Sequence, residues 1–329
     1  MNTTPSRRHL LTTGLGLAGL AALPAMAQDK FPSRPITLVV PFPPGGSVDI
    51  MARQYSEPLS RVLGVPIVVE NRAGAGGSVG AQYVARSKAD GYTLVVSSQS
   101  SHLANPLTQP KVGYDPVKDF ENIAILGRLP NALVVHSSLP FKTFKEFIDY
   151  AKKNPGKLNY GSGGVGSMGQ LNVEMLKVST GVFTTHIPYR GGTPLITGVL
   201  ANEVQFILDN LVIMLPHIQA GKVRALAVAA DQRLPQLPDV PTMAEVGHPE
   251  LNLTSWTGLA APAGTPEAVV QTLYKAVRQV ATSPAMVTNL KERGVIVPEE
   301  MPPAAFEKMM AERLVKFGDV VRKAGITAE

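Results

Sequence analysis

The chain has 329 residues, six more basic than acidic side chains and no cysteine. This mild positive charge never forms a run of Lys and Arg, so it leaves no footprint for nucleic acid, although it favours anionic solutes slightly. Without cysteines, neither disulfides nor thiolate metal sites can contribute. The six histidines never occur at i, i+4 spacing, so no local metal motif is present either.

Residues 1–27 are typical of a signal peptide. Arg7 and Arg8 precede an apolar stretch that ends at Leu23, and Ala25-Met-Ala27 supplies small residues for cleavage. The stretch is shorter than the roughly 20 residues that cross a membrane, which disfavours a retained anchor. Both the twin-arginine and the general secretory routes remain open. We therefore predict a periplasmic mature chain from Gln28, whose net charge falls from +6 to +4 with the loss of two arginines.

The mature chain opens with alternating strand and helix patterns. Strands are predicted over 36–42, 65–70 and 93–98, separated by helices over 47–63 and 78–88. This spacing is that of parallel βαβ units and predicts a doubly wound α/β sheet. Pro58 lies inside the first helix, where its missing backbone donor should kink or split the helix.

A second alternating series follows and has its own core. Its predicted strands cover 132–136, 158–162, 204–209 and 223–230, and its predicted helices cover 143–153, 167–179 and 193–201. A proline-rich turn at 234–241 then leads to a strand-like segment over 251–261, which contains the only tryptophan, Trp256.

Three predicted helices end the chain, over 266–282, 284–293 and 303–324, each with proline at or near its first turn. Helices without new strands do not easily form a third domain, so we place them on the first lobe. The first lobe then comprises 28–128 with 257–329, and the second comprises 129–256. The chain would cross between the lobes twice, near 127–130 and 254–258.

Two glycine-rich turns each join a predicted strand to a predicted helix. They are Pro41-Phe-Pro-Pro-Gly-Gly-Ser-Val-Asp49 and Tyr160-Gly-Ser-Gly-Gly-Val-Gly-Ser-Met-Gly169. The first N–H groups of a helix have no internal partner and carry the positive end of its dipole, so such junctions attract anions. Glycine lets a ligand approach the backbone closely. The glycines of one turn alone could serve only the tight reversal of the chain. Because each lobe has such a turn, we favour the interpretation that the two turns bind an anion between the lobes.

Other chemistries are poorly supported. Gly161, Gly163 and Gly166 fit a dinucleotide pattern, but no carboxylate follows at the required distance. Neither turn ends in the Gly-Lys-Ser/Thr of a nucleotide loop, and Ser167 misses the hydrolase pattern because position 165 is valine. We therefore expect no cofactor, no metal and no catalytic residue.

Three charged residues remain as candidates. Asp49 either contacts the ligand or serves as a favourable carboxylate in the first helical turn. Asp209 ends an apolar run, where α/β sheets present ligand groups. Arg190 could pair with a substrate carboxylate or form a structural ion pair.

The mature chain resembles the Bug family, the periplasmic receptors of tripartite tricarboxylate transporters, nearly from end to end. The resemblance rests on segments in a specific order: Phe31-Pro-Ser-Arg-Pro-Ile36, Val40-Pro-Phe-Pro-Pro-Gly-Gly-Ser-Val-Asp49, Val69-Glu-Asn-Arg-Ala-Gly-Ala-Gly-Gly77, Ala89-Asp-Gly-Tyr-Thr-Leu94, Tyr160-Gly-Ser-Gly-Gly164, Pro188-Tyr-Arg-Gly192 and Pro238-Asp-Val-Pro-Thr242. Ala73 departs from the proline that the family often has.

The resemblance implies a two-lobed Venus flytrap, each lobe a sheet flanked by helices, that holds a carboxylate between its lobes, partly through ordered water. Its first-lobe contacts would be Phe42, Gly45, Gly46, Ser47 and Asp49. Its second-lobe contacts would be Ser162, Gly163, Gly164 and Ser167, with Ser97, Tyr189 and Asp209 as flanking contacts.

The resemblance leaves the solute open among dicarboxylates, tricarboxylates, amino acids and aromatic acids. It implies a monomer that serves the membrane subunits of a transporter, although many members lack such neighbours. The alternatives are an exported α/β enzyme that acts on a small acid and a sensory receptor with a signalling partner. Turnover of the acid would indicate the enzyme, and a ligand-dependent change in partner contact would indicate the sensor.

Overall fold

The computed structural model describes residues 31–109 and 111–324, so the predicted signal peptide at 1–27 lies outside the described residues. The strands are β1 (Ile36–Val40), β2 (Ile67–Asn71), β3 (Thr93–Ser98), β4 (Phe120–Leu129), β5 (Asn131–His136), β6 (Asn159–Ser162), β7 (Thr185–Pro188), β8 (Phe206–Asn210), β9 (Val223–Ala229) and β10 (Ser255–Pro262). The helices are α1 (Ser47–Leu63), α2 (Ser78–Ala85), α3 (Asn105–Thr108), α4 (Phe144–Lys153), α5 (Met168–Thr180), α6 (Gly192–Leu200), α7 (Leu211–Gln219), α8 (Glu267–Ala281), α9 (Pro284–Glu292) and α10 (Pro303–Ala324).

The strands form two five-stranded sheets, one in each lobe, in the orders β2-β1-β3-β10-β4 and β7-β6-β8-β5-β9. The predicted two-lobed α/β architecture is confirmed. The parallel arrangement holds for β1 with β2 and β3, and for β6 with β7 and β8. It fails for β10, which lies antiparallel between β3 and β4, and for β5, which lies antiparallel between β8 and β9. Both sheets are therefore mixed.

Helix α1 runs unbroken through Pro58, so the expectation of a split helix is wrong. Its buried face includes Met51, Tyr55 and Leu59, and the Tyr55 hydroxyl donates to the carbonyl of Leu126 at 2.6 Å. Packing of this face against the sheet outweighs the local preference of one proline, as tertiary context commonly does.

Four of the elements given above were not predicted: β4, β7, α3 and α7. The strand β4 has two consecutive polar residues, Glu121 and Asn122, near its start, and β7 is a short edge strand of four residues. The helix α7 follows β8 without a linker and reads Leu-Val-Ile-Met-Leu-Pro-His-Ile-Gln, an apolar run whose period does not distinguish a helix from a strand.

The C-terminal helices contact both lobes. The helix α10 covers the first sheet, where Phe306 packs edge-to-face on Trp256 at 5.3 Å between ring centroids. Farther along α10, Phe317 joins an apolar cluster with Leu171 of α5 in the second lobe. Within residues 31–109 and 111–324, no helix is long and apolar enough to cross a membrane.

Candidate binding cleft

The cleft between the lobes contains two adjoining cavities. The inner cavity has a volume of about 60 Å³ and is lined by residues that follow β1, β3, β6, β7 and β8, together with the start of β10. The outer cavity has a volume of about 670 Å³ and shares Phe42, Gly163 and Gly191 with the inner one. The connections at the carboxyl ends of the strands therefore form both walls of the cleft, as is usual in α/β proteins.

First-turn residues of four helices line the inner cavity. They are Ser47 and Val48 of α1, Met168 and Gly169 of α5, Gly192 of α6 and Ile213 of α7. The residues before α1 and α6 are Gly46 and Gly191, and neither supplies a side-chain cap. The first amides of these two helices lack intrahelical partners, and they carry the positive ends of the helix dipoles.

The start of α5 is different, because its amides are partly occupied. The side chain of Ser167 accepts from the amide of Gln170 at 3.4 Å, and the amide of Gly166 donates to the side chain of Gln170 at 2.7 Å. The amide of Met168 donates to the hydroxyl of Ser100 at 3.1 Å. The uncapped helix starts of the cleft are thus those of α1 and α6, together with that of α7, whose preceding residue Asn210 also supplies no side-chain cap.

Asp49 shapes the first glycine turn. Its carboxylate accepts from the amide of Gly45 at 2.9 Å, from Nε of Arg53 at 2.9 Å and from Nδ2 of Asn71 at 2.8 Å. Burial opposes ionisation, but these donors outweigh it and lower the pKa of Asp49. Asn71 also donates to the carbonyl of Phe42 at 3.0 Å, so this network holds both ends of the turn.

Ser162 holds the second glycine turn. Its hydroxyl shares a 2.7 Å hydrogen bond with Nε2 of His186 and contacts both the carbonyl and the amide of Gly164 at 3.0 and 3.2 Å. His186 stacks on Tyr160 at 4.7 Å between ring centroids, and burial lowers its pKa. At neutral pH it is an uncharged support for the turn.

The two lobes contact each other directly across the cleft. The hydroxyl of Thr193 donates to the carbonyl of Pro44 at 2.7 Å, and Nδ2 of Asn210 donates to the hydroxyl of Ser47 at 3.0 Å. A Cβ atom built on Gly192 would lie 3.0 Å from Cα of Gly46, which is tighter than nine in ten real Cβ contacts. The structure is therefore a closed arrangement in which the starts of α1 and α6 nearly touch.

Asp209 is the charged residue on the wall of the inner cavity. Burial raises its pKa to about 6, although the amide of Asn210 donates to it at 2.7 Å. A Cβ atom on Gly169 would lie 2.5 Å from Oδ2 of Asp209, so a larger residue there would displace this carboxylate. Glycine at this position brings the carboxylate against the first turn of α5.

The predicted site residues divide into three groups by position. Phe42, Gly46, Ser47, Gly163, Ser167 and Asp209 line the inner cavity. Gly164, Tyr189 and Arg190 line the outer cavity. Gly45, Asp49, Ser97 and Ser162 line neither cavity and lie behind the wall.

Sequence reasoning missed several lining residues, which are Gln99, Gly191, Gly192, Asn210, Trp256 and Thr257. Two sequence signals could have identified some of them. The pair Gly191-Gly192 at the start of α6 is similar to the pair Gly45-Gly46 before α1, and Asn210 directly follows the predicted site residue Asp209. No local signal connects Trp256 with Gln99, because only the pairing of β10 with β3 brings them to one cavity.

The inner cavity is lined mainly by backbone amides and neutral side chains, with Asp209 as its charged lining residue, and Arg190 lines the outer cavity. Of the lining residues that the structure describes, none is lysine, arginine or histidine at the inner cavity. Nor do the described residues place three metal-ligating side chains together. His102, beside the cleft, is fully buried, and burial lowers its pKa to about 3.

The family model of the tripartite tricarboxylate transporter family receptor matches residues 51–326. Protein BugT of Bordetella pertussis (strain Tohama I) is 35% identical over 326 residues, which cover 99% of each chain. Among solved structures, a Rhodopseudomonas palustris protein with adipate has a TM-score of 0.87 and 36% identity, covering 90% of this chain and 99% of that one. MatC from the same species, with bound malate, has a TM-score of 0.84 and 36% identity, covering 88% and 100%. The periplasmic binding protein BugD has a TM-score of 0.86 and 33% identity, covering 91% and 100%.

Proposed function

Since the chain belongs to the tripartite tricarboxylate transporter receptor family, we propose that it captures a small carboxylate between its lobes for uptake by the membrane subunits of such a transporter. The chain is a solute-binding protein of this family, and its structural relatives hold adipate and malate. Those ligands are carboxylates, which supports the same class of solute here.

The observation that carries this proposal is the convergence of two uncapped helix starts. Gly46 and Gly191 leave the first amides of α1 and α6 without side-chain caps, and both residues line the inner cavity. Each helix start is equivalent to roughly half a positive charge. A carboxylate in the inner cavity, beside both helix starts, accepts hydrogen bonds worth roughly 1.5–3 kcal/mol each when one partner is charged.

The carboxylate acts as the bridge that closes the lobes. Binding energy that contacts both walls favours the closed population, and hinge motion between lobes is the ordinary route to it. We place the lobes at 28–128 with 257–329 and at 129–256. These bounds lie within two residues of the end of β4 and the start of β10. Solution scattering should show a smaller radius of gyration with saturating ligand.

The cellular setting follows from the same proposal. Residues 1–27 direct export and are removed, so that a monomer beginning at Gln28 works in the periplasm and releases the acid unchanged. A receptor binds its acid stoichiometrically, whereas an exported enzyme would convert it during incubation.

Mass spectrometry of small molecules tests the proposal. Protein purified without added ligand is desalted, unfolded and extracted, and the released compound is identified and quantified. We expect a carboxylic acid at up to one molecule per chain, recovered chemically unchanged after rebinding. A released compound without a carboxylate would refute the proposal.

A further inference from the structure

Three buried side chains on the inner cavity contain polar atoms that have no hydrogen-bond partner. They are Gln99, Trp256 and Thr257, which are 1%, 2% and 2% exposed. Both amide atoms of Gln99, Nε1 of Trp256 and Oγ1 of Thr257 are unpartnered, as is Oδ1 of the half-buried Asn210 on the same cavity. Buried polar groups in native proteins are almost always paired, so three on one cavity wall require a reason.

The fold places these residues together at the end of the cleft farthest from the outer cavity. Thr257 of β10 pairs in register with Ser98 of β3, and Gln99 is the residue that follows β3. Trp256 neighbours Thr257 on β10. All three line the inner cavity and none lines the outer one. Trp256 and Thr257 are consecutive on β10, so their side chains leave the strand on opposite faces. We call these three lining residues the deep subsite.

The hydrogen-bonding capacity of the deep subsite limits what it can bind. The indole of Trp256 only donates, the amide of Gln99 donates and accepts, and the hydroxyl of Thr257 does either. An alkyl group would leave all of them unpaired. An ammonium group, which only donates, would leave Trp256 unpaired.

A second carboxylate is also a poor match for the deep subsite. Asp209 is the charged group on the same cavity, and the described lining residues include no cation to offset a further negative charge. Like charges at short distance in a partly buried site are unfavourable. A neutral oxygen, as in a hydroxyl or a carbonyl, accepts from Trp256 and Gln99 without adding charge.

We propose that Gln99, Trp256 and Thr257 form a subsite for a neutral oxygen substituent of the ligand, so that the protein selects hydroxy or oxo acids over the acids that lack that oxygen. This inference rests on the proposed function, because the carboxylate at the helix starts orients the ligand. The inner cavity of about 60 Å³ holds roughly four to six water-sized groups at 10–15 Å³ each. That space suits the substituted end of a short acid.

Two matched series of acids test the preference by calorimetry on the full mature protein. The first is propionate, lactate, pyruvate and alanine, and the second is succinate, malate, oxaloacetate and aspartate. We expect a hydroxy or oxo acid to bind at least 10-fold tighter than its unsubstituted counterpart in at least one series. Sites built around a ligand hydroxyl can discriminate far more strongly than this.

Variants connect the preference to the deep subsite. Gln99→Leu and Trp256→Phe should each weaken binding of the preferred acid at least 10-fold more than they weaken binding of its unsubstituted counterpart. Gln99→Leu should keep or raise the melting temperature, because it removes a buried unpaired polar group, whereas Trp256→Phe should melt lower, because the smaller ring leaves a cavity beside Phe306. If one of the two variants does not fold, the other still tests the subsite.

Thr257→Val and Thr184→Val are a matched pair. Both threonines are buried with an unpartnered hydroxyl, but Thr184 lies in the second lobe outside both cavities. We expect Thr257→Val to reduce the preference and Thr184→Val to leave it intact.

The outcomes separate the subsite from the proposed function. The subsite would be overturned, with carboxylate capture left in place, by any one of three results. Substituted and unsubstituted acids bind equally, alanine or aspartate binds more tightly than the hydroxy and oxo acids, or the preference survives both Gln99→Leu and Trp256→Phe. No binding by any acid of either series would also overturn the subsite, whereas release of a compound without a carboxylate from the purified protein would overturn the proposed function.

Discussion

A methyl group at Gly192 should weaken ligand binding by obstructing closure. In the closed arrangement its Cβ would lie 3.0 Å from Cα of Gly46, a backbone atom of the opposite lobe that cannot rotate away. Carbon atoms prefer separations of about 3.5–4.0 Å, so the lobes must part by roughly 0.5–1 Å at this point. Overpacking of this kind costs roughly 1–3 kcal/mol, which corresponds to about 5- to 150-fold weaker binding.

Gly46→Ala is the matched control for Gly192→Ala. A Cβ on Gly46 meets no atom closer than 3.7 Å, although the same two glycines face each other. Calorimetry with the acid released from the native protein should give near wild-type affinity for Gly46→Ala and the loss for Gly192→Ala, with both variants folded by thermal melting. Equal affinities in the two variants would show that this closed arrangement is not the ligand-bound one.

Three further predictions concern single residues. Asp49→Ala should destabilise the protein by about 1–3 kcal/mol, since it leaves the amide of Gly45 and the side chain of Asn71 without their shared acceptor. Because the pKa of Asp49 is lowered in the folded state, its stabilising contribution is present above pH 3.8 and is lost as the pH falls through the folded pKa. The melting temperatures of wild type and variant should therefore converge in acid. Burial raises the pKa of Asp209 to about 6, so ionisation of this carboxyl lowers the stability of the folded protein as the pH rises from 3.8 to about 6. Asp209→Asn should remove that pH dependence and melt at a higher temperature than wild type at pH 8. An unchanged dependence of the melting temperature on pH would contradict this prediction. Trp256 is the only tryptophan and lines the inner cavity, so its fluorescence should change on binding, and constant emission at saturating ligand would place the ligand elsewhere.

Local sequence signals predicted the elements that depend on local pattern. The bounds of α1, β3 and α10 agree with those predicted, because each has a clear period and a clear start signal. The two glycine turns were also identified correctly as strand-to-helix junctions. They lie on opposite walls of one cleft, as expected for the carboxyl ends of strands in two facing α/β lobes.

The sequence could not show which glycines need close approach. It pointed to Gly46 and Gly163, where a Cβ would meet nothing closer than 3.7 and 3.9 Å. The structure places the tight contacts at Gly192 and Gly169 instead, each against a residue distant in sequence. Close approach is a property of the assembled lobes, and no local pattern encodes it.

The deep subsite was hidden for a related reason. Trp256 was conspicuous as the only tryptophan, but its neighbours depend on β10 returning antiparallel between β3 and β4. Sequence patterns indicate where a strand lies, but they do not readily indicate which strand it pairs with. The candidate site was therefore predicted at its first-lobe and second-lobe turns and missed at its far end.

A crystal structure of the mature protein with the acid that it carries when purified would test the central claim most directly. The account predicts a closed protein in which a ligand carboxylate lies between the starts of α1 and α6 and accepts hydrogen bonds from their first amides. A carboxylate held instead by a lysine or arginine side chain, or bound outside the cleft between the lobes, would contradict it.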